Sequence, residues 1–572
     1  MNRLALASLL ALPLAGCATY STYTAADDAV AAAPPAWAVS AADPRAQEAG
    51  ESILQKGGSA TDAAIATMLA LTVVEPQSSG IGGGGFMVRG TSDGKVTTYD
   101  GRETAPSGAT PEWFLGEDGE LPPFIESVRS GLSVGVPGNI ALAAKAHAEY
   151  GRLPWDELFE PAIALARDGF EINPRMHNSL TSAKNRAAFS ESGRALFYDG
   201  TGEPLAVGTR VVNEPLAQTF EAIAAGGRSA FYSGDFAAKI AATVAADTPR
   251  GGAMTAADVA AYEAKERDAL CGDYRGYRVC SMGPPTSGGI AVLQILGQLE
   301  RFDLTALGVD NPVTWHLFLE SQRLAYADRE LYAADSDFVS VPLRGLVDPD
   351  YLASRSALIS ADSTMGEVTA GTPPGAPRAR ADGDEPEEQG TTHFAVVDDA
   401  GTMVSYTSTV EGPFGSGLMV GGFFLNNELT DFSRAPQVDG RLVANRVEPG
   451  KRPRSSMSPS LVYDPSGTPF MVVGAAGGGT IPVQTARSII GAIDFGLGAE
   501  EALGLPFLMA FGDRVLLEEG TWLEARADAF RALGHGDIMI REAPVKAGAI
   551  LRGANGWTSA RDPRLKGQLE TP

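Results

Sequence analysis

The sequence predicts an α+β protein with a helix-rich first part and a β-rich second part. Apolar side chains between residues 133 and 330 recur mainly with helical spacing, as in NIALAAKAHAEY. After residue 391 the pattern changes to strand-like runs, followed by a strand, a glycine loop and a helix over FMVVGAAGGGTIPVQTARSIIGAIDFG. Residues 371–390 separate the two parts and are rich in Pro, Gly, Ala and charge, a composition typical of a disordered leader.

The first residues predict export. A short positive start is followed by an apolar run over residues 4–14, which is too short to span a membrane, and then by LAGC. This resembles the bacterial lipobox, so we expect a signal peptide over 1–16, lipidation of Cys17 and a disordered tether over 17–44. The protein would then be periplasmic and attached to a membrane only through its lipid. A plain signal peptide with an incidental cysteine is the alternative.

Residues 46–76 predict a helix, broken near Gly57 and Gly58 and then nearly all apolar, which indicates burial. The glycines of residues 80–85 formally fit the dinucleotide-binding pattern GxGxxG. Their context is wrong for it, because a helix precedes them and a strand-like run follows. Close backbone packing explains these glycines better.

The remaining bulk properties exclude several classes of function. A formal charge of −25 without a basic stripe argues against nucleic-acid binding. No HExxH, no clustered Cys/His and no GxSxG elbow is present, so we expect no metal, no cofactor and no conventional triad. His393 is as compatible with a packed strand position as with catalysis. Cys271 and Cys280 bracket a short hairpin and form either a disulfide or a pair of free thiols.

The junction between Gly390 and Thr391 is the most informative stretch of the chain. Thr391 opens THFAVVDDAGTMVSYTSTV, two strand-like runs joined by a turn, directly after the predicted leader. A threonine in this position suits self-cleavage, because its hydroxyl is a nucleophile and its freed α-amine a base. An ordinary surface loop before a hairpin is the alternative.

Four further clusters carry groups suited to a small zwitterion or an oxyanion. An arginine suits a carboxylate, paired carboxylates suit an ammonium, and glycine N–H groups suit an oxyanion. The clusters are Arg102 after a strand, Glu428 with Asp431, the hydroxyls of Ser455 and Ser456 in a Pro-rich loop, and the glycine loop 474–480. Taken singly, a surface ion pair, a solvated turn, a stiff loop and glycine packing explain them equally well.

In combination, the clusters resemble the γ-glutamyltranspeptidase family of N-terminal-nucleophile hydrolases. The matching motifs run from about residue 45 almost to the end, in family order: EPQSSGIGGGGFM, SVGVPG, YRGY, the GTTH junction, FGSGLM, LNNELTDFS, KRPRSSMSP and GAAGGG. The resemblance implies a four-layer αββα sandwich. It also implies one precursor cut into a large subunit, 45–390, and a small catalytic subunit, 391–572, which stay together as a heterodimer.

The resemblance also implies the role of each site residue. Thr391 would be both the self-cleaving residue and the nucleophile, and Thr409 would orient it. Gly477 and Gly478 would form the oxyanion hole. The donor α-carboxylate would be bound by Arg102, Ser455 and Ser456, and its α-ammonium by Glu428 and Asp431. The implied activity is hydrolysis or transfer of the γ-glutamyl group of glutathione and related amides, through an ester on Thr391. Water, an amino acid or a peptide would be the acceptor.

Two departures from the family pattern bear on this expectation. Glu411 stands where the family usually has Asn, and it either contacts the ammonium or repels the other two carboxylates. The stretch between Phe432 and Lys451 is short and lacks the Tyr that many relatives carry on a lid, which leaves strict glutathione preference and transpeptidation open. An amidase of the cephalosporin-acylase type and a non-catalytic surface lipoprotein are the alternatives.

Overall fold

The computed structural model describes residues 36–377, 381, 383 and 390–570. Its strands are β1 Ala38–Ala41, β2 Gly84–Gly90, β3 Val96–Asp100, β4 Phe170–Glu171, β5 Arg210–Val211, β6 Lys265–Arg267, β7 Leu270–Tyr274, β8 Tyr277–Ser281, β9 Thr392–Val397, β10 Met403–Thr409, β11 Met419–Val420, β12 Phe423–Phe424, β13 Gln437–Val438, β14 Arg441–Leu442, β15 Ser460–Tyr463, β16 Pro469–Ala476, β17 Leu508–Phe511, β18 Arg514–Glu518, β19 Asp537–Arg541, β20 Lys546–Gly553 and β21 Gly556–Arg561.

The α-helices of the described residues follow the predicted division, with most of them before residue 391. They are α1 Pro44–Gln55, α2 Ala60–Val74, α3 Phe124–Val128, α4 Asn139–Tyr150, α5 Glu160–Asp168, α6 Pro174–Ser182, α7 Lys184–Ala187, α8 Glu191–Phe197, α9 Glu214–Tyr232, α10 Gly234–Ala246, α11 Ala256–Ala261, α12 Gly288–Leu299, α13 Leu304–Leu307, α14 Pro312–Tyr332, α15 Leu343–Leu346, α16 Pro349–Ser356, α17 Ile481–Ile493, α18 Ala499–Gly504, α19 Trp522–Ala525 and α20 Ala527–Ala532.

Two six-stranded antiparallel sheets form the centre of the fold. The first has the order β1-β9-β10-β2-β3-β6, and the second has the order β21-β20-β16-β15-β8-β7. Strands β9 and β10 pack face to face on β16 and β20, which is why every residue of β9 and β10 is buried. Helix α2 covers the outer face of the first sheet, and α12 and α17 cover the second. The predicted four-layer αββα sandwich is confirmed.

The predicted helix over 46–76 is present as two helices, with the break where Gly57 and Gly58 stand. Ser59 begins α2 with a capping box, in which its hydroxyl accepts from the Asp62 N–H and the Asp62 carboxylate accepts from the Ser59 N–H. All fifteen residues of α2 are buried, as its apolar composition predicts.

The glycines of residues 80–85 are packing sites, as expected. A Cβ at Gly82 would lie 2.0 Å from the carbonyl oxygen of Phe424, and one at Gly83 would lie 2.0 Å from that of Thr409. A side chain at Gly82 would therefore clash with β12, and one at Gly83 would clash with the end of β10, which carries Thr409. Cys271 and Cys280 are directly opposite each other across β7 and β8 and are joined as a disulfide.

The predicted tether over 17–44 ends too late. Ala38–Ala41 form β1, which is buried and pairs with β9, and α1 begins at Pro44. The run AVSA is short and Ala-rich, so only its pairing with a neighbouring strand identifies it as a strand. Residues 1–35, with the expected signal peptide and Cys17, lie outside the described residues.

Part of the predicted leader is attached to the fold. Residues 371–377 form no helix or strand, yet the Gly371 N–H donates to Asp328 at 2.8 Å and its carbonyl accepts from Tyr332 at 2.8 Å. The leader's composition did not predict these contacts. Most of residues 378–389 lie outside the described residues. Among the described helices, none combines the length and apolar character required to cross a membrane.

Candidate active site

Thr391 lies directly before β9, in the middle of the first sheet. Pairing of Thr392 with Ser408 brings Thr391 beside Thr409 at the end of β10, and their hydroxyl oxygens are 3.5 Å apart. The Thr391 hydroxyl donates a hydrogen bond to the carbonyl oxygen of Gly390, the residue before it. The side chain that sequence analysis selected as nucleophile is thus buried and in contact with the peptide bond that it is expected to cleave.

Thr409 contacts the same carbonyl. Its hydroxyl donates to the Gly390 oxygen at 3.0 Å and accepts from the Glu411 N–H at 2.7 Å, which fixes the direction of the hydroxyl proton. A donor in this position stabilises negative charge that develops on the Gly390 oxygen. Gly390 itself has no room for a side chain, because a Cβ there would lie 2.2 Å from the Glu411 carbonyl oxygen.

A cavity of about 1060 Å³ opens beside Thr391. Gly477 and Gly479 belong to its wall, in the loop between β16 and α17. Gly477 and Gly478 have φ of 116° and 55°, which are left-handed conformations that favour glycine. The structure therefore brings the predicted oxyanion loop and the predicted nucleophile to one cavity.

Arg102 forms a buried charge cluster with the two predicted ammonium ligands. It is 1% exposed, and its two terminal nitrogens pair with Glu428 and Asp431, which lie on one 3₁₀ turn. The guanidinium also donates to the carbonyls of Pro453 at 3.2 Å and Arg454 at 2.9 Å. The sequence assigned Arg102 and the carboxylates to different parts of a substrate. In the structure they pair with one another, and the two carboxylates exceed the single guanidinium by one negative charge.

Glu103 is a member of this cluster that sequence analysis missed. It is fully buried, and burial raises the pKa of its carboxyl to about 8, although Arg102 opposes the shift. Because its pKa is raised in this way, Glu103 stays protonated at neutral pH and adds no third negative charge beside Arg102. Glu103 directly follows Arg102 in the sequence, and this neighbour was the available signal.

The two predicted serines lie in the loop that contacts Arg102. Ser456 accepts a hydrogen bond from Arg329 at 2.6 Å, and the Ser455 hydroxyl accepts from the Met457 N–H at 3.1 Å. Arg329 projects from α14, pairs with Glu330 and lines the cavity, so it brings a guanidinium to the predicted carboxylate site. Nothing in the spacing of α14 identified this arginine.

Glu411 adopts a positive φ of 72° after β10, and its carboxylate accepts a hydrogen bond from Asn427. The Arg186 guanidinium lies beside the same turn: burial lowers its pKa, and the Glu411 charge opposes that shift. The charge of Glu411 is therefore compensated by Asn427 and Arg186. The sequence-based interpretation had considered only the donor ammonium and the other two carboxylates.

Lys546 and Glu75 form a second buried pair, which sequence analysis also missed. Their charged groups are 2.7 Å apart, and Lys546 donates to the Thr391 carbonyl at 3.1 Å. Burial, together with the nearby Arg175, lowers the pKa of Lys546 to about 7, although the Glu75 charge opposes the shift. Burial raises the pKa of Glu75, but the charges of Lys546 and Arg175 leave it below the ordinary value.

The histidines play other roles. His393 is a packed strand residue: it is buried, it bonds Thr407 at 2.9 Å, and burial lowers its pKa to about 3. His316, Glu320 and His535 converge in a buried cluster that the sequence did not predict. The His316 Nδ1 and His535 Nε2 atoms are 2.8 Å apart, a hydrogen-bond distance, and Arg323 pairs with Glu320 at 3.1 Å. These contacts make the cluster a polar network in which the Glu320 carboxylate is already paired with a guanidinium.

Comparison with known proteins agrees with this geometry. The gamma-glutamyltranspeptidase family model matches residues 46–571. The chain is 40% identical over 479 residues to the glutathione hydrolase proenzyme of Bacillus subtilis strain 168, which covers 82% of this chain and 79% of that protein. It is 37% identical over 545 residues to the glutathione hydrolase proenzyme of Escherichia coli K12, with 92% and 90% covered.

A solved structure is similar over most of its length. The crystal structure of cephalosporin acylase from Bacillus halodurans is similar with a TM-score of 0.79 and 28% identity, over 92% of this chain and 94% of that one. Fold and sequence agree over nearly the whole chain. The chain therefore belongs to the gamma-glutamyltranspeptidase family.

Proposed function

We propose that the chain is a self-cleaving γ-glutamyl hydrolase or transferase that acts on glutathione and related γ-glutamyl amides. The observation that carries the proposal is the position of the Thr391 hydroxyl, between the Gly390 carbonyl and Thr409 and beside the cavity. The glutathione hydrolase proenzymes to which the chain is similar support the substrate class.

Self-cleavage would begin when Thr391 Oγ attacks the Gly390 carbonyl carbon. The bond from this carbon to the Thr391 nitrogen breaks, the hydroxyl proton passes to that nitrogen, and an ester joins Gly390 to Thr391 Oγ. Thr409 donates to the oxygen on which charge develops, at 3.0 Å in the uncut chain. Water then hydrolyses the ester, which leaves Gly390 with a carboxylate and Thr391 with a free α-amine. The freed amine is the base that the second reaction needs.

In turnover, Thr391 Oγ attacks the γ-amide carbonyl of the donor while the α-amine takes the hydroxyl proton. The amine returns this proton to the leaving nitrogen, and a γ-glutamyl ester remains on Thr391. Water attacks the ester in hydrolysis, and the amine of an amino acid or peptide attacks it in transfer. The glycine loop with Gly477 and Gly478 would donate N–H groups to the oxyanion in both halves.

Binding of the donor would replace the ion pairs that Arg102 already makes with Glu428 and Asp431. The donor α-carboxylate would replace Glu428 and Asp431 at Arg102, and the α-ammonium would then pair with these two carboxylates. Every charge keeps a partner only if the donor is a zwitterion. This favours a γ-glutamyl group over a glutaryl group, whose carboxylate would gather with two others around one arginine.

An acylase of the cephalosporin type is the second candidate, and the similarity to the Bacillus halodurans acylase supports it. A non-catalytic surface lipoprotein is the third candidate. This function would not require the contact between the Thr391 hydroxyl and the Gly390 carbonyl. For location we propose export to the periplasm and anchoring through Cys17, supported by residues 1–17 of the sequence.

The test is to express the full chain and examine it on denaturing gels, with N-terminal sequencing of the smaller band. We expect two bands with the smaller beginning at Thr391, one uncut band for Thr391→Ala, and two bands for the matched control Thr391→Ser. The cut protein should hydrolyse a γ-glutamyl anilide faster than a glutaryl anilide. Activity of an uncut wild type would contradict self-cleavage, and the opposite substrate order would favour the acylase.

A further inference from the structure

Lys546 connects the two sides of the expected cut at the nucleophile. Lys546 is 6% exposed. Its ammonium contacts Glu75 at 2.7 Å and Ser78 at 3.2 Å, and both of these residues precede the expected cut in the sequence. On the other side of the expected cut, the same ammonium contacts the Thr391 carbonyl at 3.1 Å. Glu75 also accepts from the Thr392 hydroxyl at 2.9 Å, so the pair holds the first two residues of the small subunit.

The charges around this position come from several elements. Glu75 at the end of α2 and Lys546 on β20 neutralise each other, and Arg175 on α6 lies 3.3 Å from Glu75. Asp43, before α1, acts on Lys546 at longer range but is itself paired with Arg45 at 2.7 Å. Glu411, after β10, contacts Gly390 through its backbone, while its carboxylate bonds Asn427. The two cations and Glu75 leave the immediate surroundings of the Thr391 backbone net positive.

We propose that Lys546 is a positioning residue for Thr391, which fixes the Thr391 carbonyl and keeps the freed α-amine neutral so that it acts as the catalytic base. This inference rests on the proposed function, because the α-amine exists only after cleavage before Thr391. It adds a residue to which neither the motifs nor the comparisons assign a role.

The geometry gives the direction of the effect. The nitrogen and the carbonyl oxygen of one residue are about 3 Å apart, so the Lys546 ammonium lies within roughly 6–7 Å of the amine. A like charge at such a distance disfavours the protonated amine, whose ordinary pKa is about 8. Lys546 itself keeps its proton up to a pKa of about 7. It therefore acts over the acidic range, where an ordinary amine would be protonated and useless as a base.

The first experiment compares kcat for a γ-glutamyl anilide from about pH 5 to pH 9 in cut wild type, Lys546→Met, Lys546→Arg and Arg541→Met. Arg541 also lines the cavity and is exposed, so its variant controls for loss of a positive charge elsewhere in the cavity. For Lys546→Met we expect the acidic limb to move up by about one pH unit, with activity near pH 6 about tenfold lower and activity near pH 9 nearly retained. Lys546→Arg and Arg541→Met should keep the wild-type limb.

A uniform loss of kcat at every pH in Lys546→Met would overturn the proposal, because it would indicate a structural role only. A second measurement needs no variant. The small-subunit N-terminus of wild type is labelled with an amine-selective reagent as a function of pH, and the Thr391 peptide is quantified by mass spectrometry. We expect its midpoint about one unit below that of the free peptide THFAVV.

An unshifted midpoint in cut wild type overturns the Lys546 proposal even if Lys546→Met fails to fold. The labelling also separates the two levels of inference. A cut protein that hydrolyses no γ-glutamyl anilide refutes the proposed function, while its Thr391 midpoint still reports on Lys546.

Discussion

Asp431→Asn is the substitution that most directly tests recognition of an amino-acid donor. Asparagine has nearly the same shape but no charge, so Arg102 loses one of its two carboxylate partners and keeps Glu428. The carbonyl of Asp431, which accepts from Asn445 at 2.7 Å, is unaffected. The 3₁₀ turn should therefore remain in place while the charge available to a donor ammonium falls by one.

The size of the effect follows from burial. The Asp431 side chain is 4% exposed, and loss of one partner of a desolvated charge pair costs about 2–5 kcal/mol. Glu428 still offers one carboxylate to the ammonium, so the lower part of that range applies, about 2–3 kcal/mol. We expect KM for a γ-glutamyl anilide to rise roughly 30- to 150-fold. A glutaryl anilide, which lacks the ammonium, should show no rise in KM.

The assay is initial-rate kinetics of both anilides with cut protein, with Asp439→Asn as the matched control. Asp439 is exposed on the β13–β14 turn, so the same change of side chain there should leave KM unchanged. Self-cleavage should persist in both variants, because it involves no free amino acid. If Asp431→Asn raises KM for the two anilides equally, or changes neither, the donor is not recognised through its ammonium and the reasoning fails.

Three further predictions concern the rest of the chain. Glu411→Asn should not lower KM for a γ-glutamyl anilide, because Asn427 and Arg186 already compensate the Glu411 charge; a clear fall in KM would show that Glu411 repels the other carboxylates. Cys17→Ser should move the exported protein from the membrane fraction to the soluble fraction, and a wild type that is soluble without detergent would contradict lipidation. The pKa of Glu103 is raised to about 8, so the folded state keeps a proton that the unfolded chain loses above about pH 4.5, and stability falls as pH rises between these values. Glu103→Gln should reduce this fall in denaturant unfolding measured at pH 5 and pH 8, whereas an equal slope in the two proteins would contradict the assignment.

Local sequence signals predicted the parts of the site that lie within one motif. Thr391 lies directly before β9, as its strand-like context indicates, and Arg102 follows β3 where a strand end was expected. The spacing of Glu428 and Asp431 put them on one turn, facing one guanidinium. In each case the residues that decide the geometry are neighbours in the chain, so pattern and propensity are sufficient.

The missed groups depend on contacts between distant segments. Lys546 is separated from Glu75 by 471 residues, and a single lysine in a strand gives no signal of its burial beside Thr391. Strand β1 has too little apolar character to be recognised without its partner β9. The ion pairs between Arg102 and the two carboxylates were not expected either, because motif roles describe a site with its substrate and not the site alone.

The order of the first sheet also bears on how the molecule withstands unfolding. Strands β9 and β10 lie between β1 and β2, so segments from both sides of the Gly390–Thr391 bond alternate within one sheet. An uncut chain finds these pairings within a single molecule, at a rate independent of dilution. Two separate chains would have to meet first, and exposed strands would meanwhile be open to aggregation. Once cut, the protein would persist through the height of its unfolding barrier rather than through reversible refolding, and its half-life at a given temperature would describe it better than a free energy.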